Sequence, residues 1–199
     1  MIILQEKFKG YTTYIDTVSY THLPGQCSLL IMDAQPQMFF SAEGDFQNTV
    51  MLHLQGLART AKLFHLPCIL STVTATDFAG PLYSGVQEVF PQIVPIDRTC
   101  MNALEDRNIR RAIESSSRNK LLLAGLWTEA GITFTALSAQ REGYQVYLVE
   151  DACAGMTRIS HRTAISRMEP VSYTHLDVYK RQLLDEVIKG NLPNERDVL

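Results

Sequence analysis

Polar or small residues follow three apolar runs of the chain. Asp33 comes directly after CSLLIM, Arg98 follows QIVPI by one residue, and residues 128–132 come shortly after KLLLA. In open parallel sheets, binding and catalytic sites form at the carboxyl ends of strands, near the point where strand order reverses. Burial there raises the pKa of a carboxyl and a nearby arginine lowers it, so such a pair can act as an acid or a base. The alternative for Asp33 is a helix cap or a structural ion pair.

Strand-like and helix-like segments alternate along the chain and would position these residues. Short apolar runs predict strands at 27–32, 67–73, 92–96, 120–124 and 144–149. Apolar residues at helical spacing predict helices at 46–64, 105–118, 129–141 and 158–168. This alternation indicates an α/β fold: a doubly wound, open parallel β-sheet with helices on both faces, in a Rossmann-like three-layer arrangement.

A hexapeptide, VSYTHL, occurs at residues 18–23 and again at 171–176. Two distant copies do not make a repeat architecture. The second copy continues as DVYKRQ and resembles the translated junction of two transposase-end adaptors used in sequencing-library preparation; the alternative is a coincidental surface segment. We therefore expect residues 1–23 to be a non-native flank, 24–170 the domain, 171–182 adaptor-derived and 183–199 an unassigned tail. A sixth strand would begin just after Pro170, so we expect the last strand to be missing.

The composition narrows the class of protein. A net charge of −3 provides no basic surface for nucleic acid or an anionic membrane. An apolar fraction of 46% and a charged fraction of 20% are ordinary for a soluble globular protein. The cysteines Cys27, Cys68, Cys100 and Cys153 show no metal-binding or redox spacing. We predict a cytoplasmic protein with reduced thiols that acts on a small molecule and binds neither nucleic acid nor membrane.

Four stretches of the chain carry a family resemblance. They are LLIMDAQ, DRTCMNALED, LLLAGLWTEAGITFTALSAQREGYQVYLVEDACAG and SHRTAISRM. Together they resemble the isochorismatase-like hydrolases, above all the YcaC-like branch, over nearly all of residues 24–168. The stretch GLWTE and the EGY and DA segments downstream of it are the most specific part. The resemblance implies the same doubly wound α/β fold, and it also implies a homo-oligomer.

The resemblance implies a catalytic set as well. In the cysteine-type members, an aspartate, a basic residue and a cysteine at a helix N-terminus act together, and by position these correspond to Asp33, Arg98 and Gly131. A cysteine there would be favoured as a thiolate by the helix dipole and the basic neighbour. Glycine supplies no attacking atom, which puts covalent catalysis in doubt.

Three interpretations of Gly131 stay open. Isochorismatases that cleave a vinyl ether carry glycine there, and in them the aspartate protonates the enol-ether carbon before water completes the hydrolysis. Cysteine and glycine codons differ by one base, so a sequence error or a mutation would also explain Gly131. The third interpretation is a pseudoenzyme, an oligomeric binding or scaffold protein without catalysis. Asp33 as acid or base and Arg98 as its electrostatic partner belong to the hydrolase interpretation.

Other residues are implied as contacts or weighed as alternatives. Asn102, Trp127, Thr128 and Phe39 are candidate substrate-binding residues, while Cys100 and Cys153 are weaker candidates for a substitute nucleophile. Nicotinamidases of the same superfamily bind a metal through an aspartate and histidines after the second strand. The matching stretch at 71–83 contains no histidine, so we expect no metal and no cofactor. We expect His161 to be a surface or helix-start residue.

Overall fold

The computed structural model describes residues 24–44, 46–169 and 173–174. Six parallel strands form one sheet in the order β3-β2-β1-β4-β5-β6. The strands, in chain order, are Cys27–Met32 (β1), Cys68–Val73 (β2), Ile96–Arg98 (β3), Lys120–Leu126 (β4), Gln145–Ala154 (β5) and Tyr173–Thr174 (β6). Strand order reverses between β1 and β4, which makes the carboxyl ends of these two strands the topological switch point. The predicted α/β doubly wound fold is confirmed.

In the described part of the chain, six α-helices connect the strands. They are Pro36–Ser41 (α1), Phe46–Leu63 (α2), Ser84–Gln87 (α3), Arg107–Ser115 (α4), Thr133–Arg141 (α5) and Arg158–Met168 (α6). Short 3₁₀ turns occur at Pro24–Gln26 and Ala103–Glu105, and π-helical turns at Ala75–Ala79 and Thr128–Ile132. Right-handed crossovers in this strand order place α2 and α3 on one face of the sheet and α4, α5 and α6 on the other.

The core lies on both faces of the two central strands. Every residue of β1 and of β4 is buried, as expected for strands covered by helices on both sides. Helix α2 contributes an inner face at helical spacing, formed by Val50, Leu54, Leu57, Ala58 and Ala61. The two central strands approach most closely at Gly125, where φ is 137° and a Cβ atom would overlap the carbonyl oxygen of Met32.

Several predicted boundaries were wrong, for local reasons. The third strand begins at Ile96 rather than at residue 92, because Pro95 has no amide hydrogen to donate to a sheet. The fourth strand continues through Gly125 to Leu126, and the fifth extends to Ala154 across a register shift opposite β4. The predicted helix at 129–141 starts as the π-helical turn at 128–132 before α5 begins. Asp106 caps α4, so that helix starts at Arg107.

Among the described residues, the last strand is reduced to the two residues of β6. Tyr173 and Thr174 pair in parallel with Tyr147 and Leu148 of β5, beyond the boundary predicted at residue 170. Strand pairing uses backbone groups, so an extended segment of tyrosine and threonine can pair with an open edge whatever its origin. The adaptor-like copy at 18–23, most of the segment 171–182 and the tail 183–199 lie outside the described residues.

Candidate active site

Asp33 directly follows β1 at the switch point and is 2% exposed. Its φ of 57° lies in the left-handed region, which aspartate tolerates better than most residues. Its amide donates a hydrogen bond of 3.0 Å to the carbonyl oxygen of Ser71, and its own carbonyl accepts one of 2.8 Å from the amide of Gln35. Backbone contacts with β2 and with the turn before α1 therefore fix the direction in which this carboxyl points.

Arg98 is the last residue of β3 and meets Asp33 across β2. Its Nη1 lies 2.5 Å from Oδ1 of Asp33 and its Nη2 lies 2.6 Å from Oδ2, a bidentate pair. Nη1 also donates to the Ser71 hydroxyl at 2.9 Å and to the carbonyl oxygen of Thr72 at 3.1 Å. The guanidinium side chain is 0% exposed, so both charges of the pair are removed from water.

Opposing influences act on the pKa of Asp33. Burial raises the pKa of the Asp33 carboxyl above its ordinary value of 3.8, and the nearby charge of Asp97 adds to the rise. The hydrogen bonds and the positive charge of Arg98 oppose it, and the pKa remains raised. Such a carboxyl holds its proton at a higher pH than an exposed aspartate does, which suits a group that gives and takes protons.

Position 131 faces this pair directly. Gly131 is buried in the π-helical turn that follows β4, and a Cβ atom built there would lie 3.1 Å from Asp33 Oδ2 and 3.5 Å from Arg98 Nη2. It would also lie 3.4 Å from the Met32 methyl group. The structure thus brings together the three residues that the resemblance implied: Asp33, Arg98 and Gly131. A side chain at 131 would enter the site at close contact, with its neighbours shifting by a few tenths of an ångström.

Three central strands end in the same unusual backbone conformation. Asp33 after β1, Thr74 after β2 and Trp127 after β4 have φ values of 57°, 46° and 56°. Left-handed φ costs free energy for residues other than glycine and clusters at functional sites. All three positions lie at the carboxyl edge of the sheet, so the strained backbone lies on the same edge as the buried pair of Asp33 and Arg98.

The candidate substrate-binding residues all make contacts within the protein. Phe39 is buried and its ring packs edge-on against Tyr83, with centroids 5.7 Å apart. Trp127 is half-buried and donates from Nε1 to the Ser41 hydroxyl at 2.7 Å. Thr128 is fully buried, and its hydroxyl lies 2.9 Å from His161 Nδ1.

Asn102 lies somewhat apart from the pair. Its Oδ1 caps the turn at Leu104 at 3.1 Å, and its Nδ2 donates to the Ser138 hydroxyl at 2.8 Å. It lines a cavity of about 410 Å³ together with Met101 and Phe134. The carbonyl oxygen of Met101 accepts a bond of 3.4 Å from Arg98 Nη2, which connects this cavity to the buried pair.

The two candidate substitute nucleophiles lie in different surroundings. Cys153 is buried inside β5, beyond residue 149 where that strand was predicted to end, and burial raises the pKa of its thiol. Cys100 is half-buried in the loop after β3, where burial raises its thiol pKa and the charge of Arg98 lowers it. A raised pKa disfavours the thiolate, the form that attacks.

Sequence reasoning missed two residues of this region. Ser71 receives a hydrogen bond from Arg98, and no local pattern marks it, since it is one more residue of a buried strand. His161 was expected at the surface or at a helix start; it lies near the start of α6, and it is buried there rather than exposed. Its spacing from Ala164, Ile165 and Met168 places it on the inner face of α6, and this pattern could have revealed it.

Two further observations bear on the kind of site. Within residues 24–44, 46–169 and 173–174, no three histidine, cysteine, aspartate or glutamate side chains are grouped so that they could hold a metal ion. In the same part of the chain, every helix is too short or too polar to cross a membrane.

The chain is an α/β domain with a doubly wound parallel sheet and a buried Asp–Arg pair at its switch point, the place where such sheets form their binding and catalytic sites. The Isochorismatase domain model matches residues 27–178, and the chain therefore belongs to the isochorismatase family. The predicted resemblance, including its YcaC-like branch, is confirmed.

Relatives and solved structures agree with this assignment. The chain is 32% identical over 148 residues to "Probable hydrolase YcaC" of Escherichia coli; the match covers 74% of this chain and 65% of that protein, just under two thirds. YcaC of Pseudomonas aeruginosa, solved with hexane-2,5-diol and covalent acrylamide, superposes with a TM-score of 0.72 at 28% identity, covering 80% of each chain. The E. coli YcaC structure, described as an octameric hydrolase of unknown specificity, gives 0.71 at 31% identity, covering 79% of each chain. Both descriptions of the E. coli relative name it a hydrolase.

Proposed function

We propose that the chain is a hydrolase of small enol-ether, carbonyl or amide compounds in which Asp33 transfers the proton. The observation that carries this proposal is the bidentate pair of Asp33 and Arg98, buried at the switch point and facing position 131. Arg98 orients the carboxyl and supplies positive charge beside the reacting group.

Gly131 favours acid–base hydrolysis over a covalent route. An attacking thiol at 131 would touch both members of the pair, but this chain has no atom there to attack a carbonyl. An enol ether needs none: the protonated Asp33 carboxyl gives its proton to the enol-ether carbon, and an oxocarbenium ion forms. Water adds to that ion and returns a proton to Asp33, and the resulting hemiketal separates into a carbonyl compound and an alcohol. The raised pKa of Asp33 supports the first step.

The experiment is a turnover screen of small enol ethers and small amides with the unmodified chain and three variants. Asp33→Asn removes the proton but keeps the shape, and turnover of enol ethers should fall by about 10²–10⁴-fold. Asp77→Asn is the matched control, because Asp77 is an exposed aspartate in the turn after β2 and should leave turnover unchanged. Enol-ether turnover that survives Asp33→Asn would contradict the proposal.

The glycine at 131 also supports a second candidate function, that of a pseudoenzyme without catalysis. The third variant, Gly131→Cys, distinguishes the hydrolase from the pseudoenzyme. Acrylamide, which is covalently bound in the P. aeruginosa relative, is left out of the screen, because its double bond adds to thiols and would block the new cysteine. If the unmodified chain is inert and Gly131→Cys gains amide hydrolysis, the natural chain is a hydrolase site without its nucleophile. Resequencing the source gene at position 131 then decides whether glycine is genuine.

We also propose a homo-oligomer in the cytoplasm. The E. coli relative is described as octameric, and this chain exposes large apolar side chains, with Phe40, Val94 and Ile159 each about 80% exposed. Light scattering on the purified chain would give the mass of the assembly, and a monomer would contradict the expectation.

A further inference from the structure

The turn at Thr128–Ile132 must be held at a defined distance from Asp33, and Gly131 has no side chain with which to hold it. A Cβ at 131 would lie 3.1 Å from Asp33 Oδ2. A shift of one ångström in this turn would therefore change the space that a substrate has beside the Asp33 carboxyl. The anchoring must therefore come from other residues of the turn.

Thr128 supplies the first anchor. Its hydroxyl lies 2.9 Å from His161 Nδ1 of α6, and both side chains are buried. Its carbonyl oxygen accepts a bond of 2.5 Å from the hydroxyl of Thr133, which ties the start of the turn to the start of α5. Hydrogen bonds therefore hold Thr128 through its side chain, to His161, and through its backbone, to Thr133.

Glu129 supplies the second anchor, again toward α6. Its Oε1 accepts hydrogen bonds from the Met156 amide at 2.9 Å and from the Ser160 hydroxyl at 3.0 Å. Its Oε2 is enclosed and has no hydrogen-bond partner among the described residues. Gly155 packs against Oε2 so closely that a Cβ there would overlap it. The close approach of the two segments thus depends on glycine at 155.

Helix α6 is itself well fixed. Thr157 and Ser160 form a capping box at its N-terminus, with the Ser160 amide 3.0 Å from the Thr157 hydroxyl. Ala164, Ile165 and Met168 are buried in the core. The first turn of α6 is therefore held in place, and so are the side chains on it that contact the turn at 128–132.

We propose that the start of α6 positions the turn at 128–132 over the Asp33–Arg98 pair, and that Thr128 and Glu129 are positioning residues for the reaction at that pair. We refer to the contacts of Thr128 and Glu129 with His161, Ser160 and Met156 as the α6 clasp. The inference rests on the proposed hydrolase function, since it concerns the same site. It changes the expectation for Thr128, which acts on the site through His161 and the backbone rather than by touching the substrate.

The test uses Gly131→Cys as a reporter, because the reactivity of a thiol there depends on its distance from the two charges. The rate of acrylamide addition is measured against pH by mass spectrometry of the peptide that carries position 131. Thr128→Val removes the hydroxyl and keeps the shape, and Thr128→Ser returns the hydroxyl. Thr60→Val is the matched control, because the Thr60 hydroxyl only bonds its own helix, at Gly56.

The expected result is a change confined to the clasp variant. In the Gly131→Cys background, Thr128→Val should move the pH midpoint of addition by about half a pH unit or more, in either direction, since the thiol lies between opposite charges. Thr128→Ser and Thr60→Val should leave the midpoint within about 0.2 units. The half-buried Cys100 is the internal reference and should react equally in every variant. An unchanged midpoint in Thr128→Val would overturn the inference.

A second measurement uses the chain with Gly131 intact and covers the case in which the thiol variant does not fold. Hydrogen exchange of the segment 128–136 should accelerate by about tenfold in Thr128→Val, while that of β1 stays the same. Equal exchange in Thr128→Val and Thr60→Val would overturn the inference. Neither readout needs a substrate, so a failed turnover screen, which would refute the proposed function, is distinguishable from a failure of Thr128 to hold the turn.

Discussion

Two polar clusters lie at the carboxyl edge of the same sheet, and they are built in different ways. The pair of Asp33 and Arg98 joins full opposite charges, with side chains 3% and 0% exposed, through two bonds of 2.5 and 2.6 Å. The α6 clasp joins two hydroxyls, an imidazole, a backbone amide and one carboxylate through bonds of 2.9 and 3.0 Å. The pair concentrates charge where a proton can move, whereas the clasp holds a backbone segment in place.

The difference predicts how each cluster responds to damage. Removing one partner of a buried ion pair leaves an uncompensated charge, which costs much more than the pair itself contributes. Removing one contact of the clasp leaves a polar group without a hydrogen-bond partner, which costs less free energy than an unpaired buried charge. The predictions below set the two clusters against each other and against matched sites elsewhere in the chain.

The largest effect is expected from Arg98→Met. It leaves the Asp33 carboxyl buried without its partner, and the free energy of unfolding should fall by about 3–5 kcal/mol in urea titrations. Arg110→Met is the control: Arg110 and Glu142 are also 2.6 Å apart, but their side chains are 39% and 32% exposed. That variant should lose about 1 kcal/mol or less. Similar losses in both variants would show that burial does not distinguish the two pairs.

A double-mutant cycle sharpens this result. Asp33→Asn keeps a residue that tolerates the left-handed backbone, and combining it with Arg98→Met should cost less than the sum of the single changes. Additive losses would mean that the two side chains do not interact as the structure shows.

A smaller effect is expected from the helix cap that supports the clasp. Thr157→Ala and Asp106→Ala each remove an N-cap, of α6 and of α4, and each should lower the free energy of unfolding by about 1 kcal/mol. Only Thr157→Ala should also accelerate hydrogen exchange at 128–132, because the clasp contacts to that turn come from α6 and not from α4. Faster exchange there in Asp106→Ala would show that the turn responds to any loss of stability.

The smallest effect concerns pH. Burial lowers the pKa of His161 below its ordinary value of 6.5, and the charge of Glu129 only partly offsets this. The unfolded chain therefore binds a proton more readily than the folded chain. The stability that neutral His161 contributes is fully present above pH 6.5 and is lost as the pH falls below that value toward the folded-state pKa.

His161→Gln provides the measurement, because glutamine does not titrate. The difference in unfolding free energy between the unmodified chain and this variant should shrink as the pH is lowered below 6.5. Asp33, whose raised pKa acts in the opposite direction, is present in both proteins and cancels from the difference. A difference that stays constant with pH would contradict a buried neutral histidine at the clasp.

Much of the fold was predictable from local sequence patterns, namely apolar runs and apolar residues at helical spacing. Apolar runs marked β1 and β4, and helical spacing marked α2 nearly to its last residue. The boundaries that were wrong depended on partners outside the local segment. β5 is longer than its apolar run because its last residues pair with Gly125 and Leu126, and β6 forms because β5 offers an open edge.

The sequence by itself determined that Asp33, Arg98 and position 131 would share one edge of a parallel sheet, since each follows an apolar run and strand ends of this kind meet there. It also determined that position 131 lacks a nucleophile. Only the tertiary structure decided that both charges are buried in a bidentate pair, and that His161 and Glu129 clasp the turn beside them. Those contacts join residues that are 27 to 65 positions apart in the sequence. The distances between such residues are set by tertiary packing, and a local sequence pattern does not predict them.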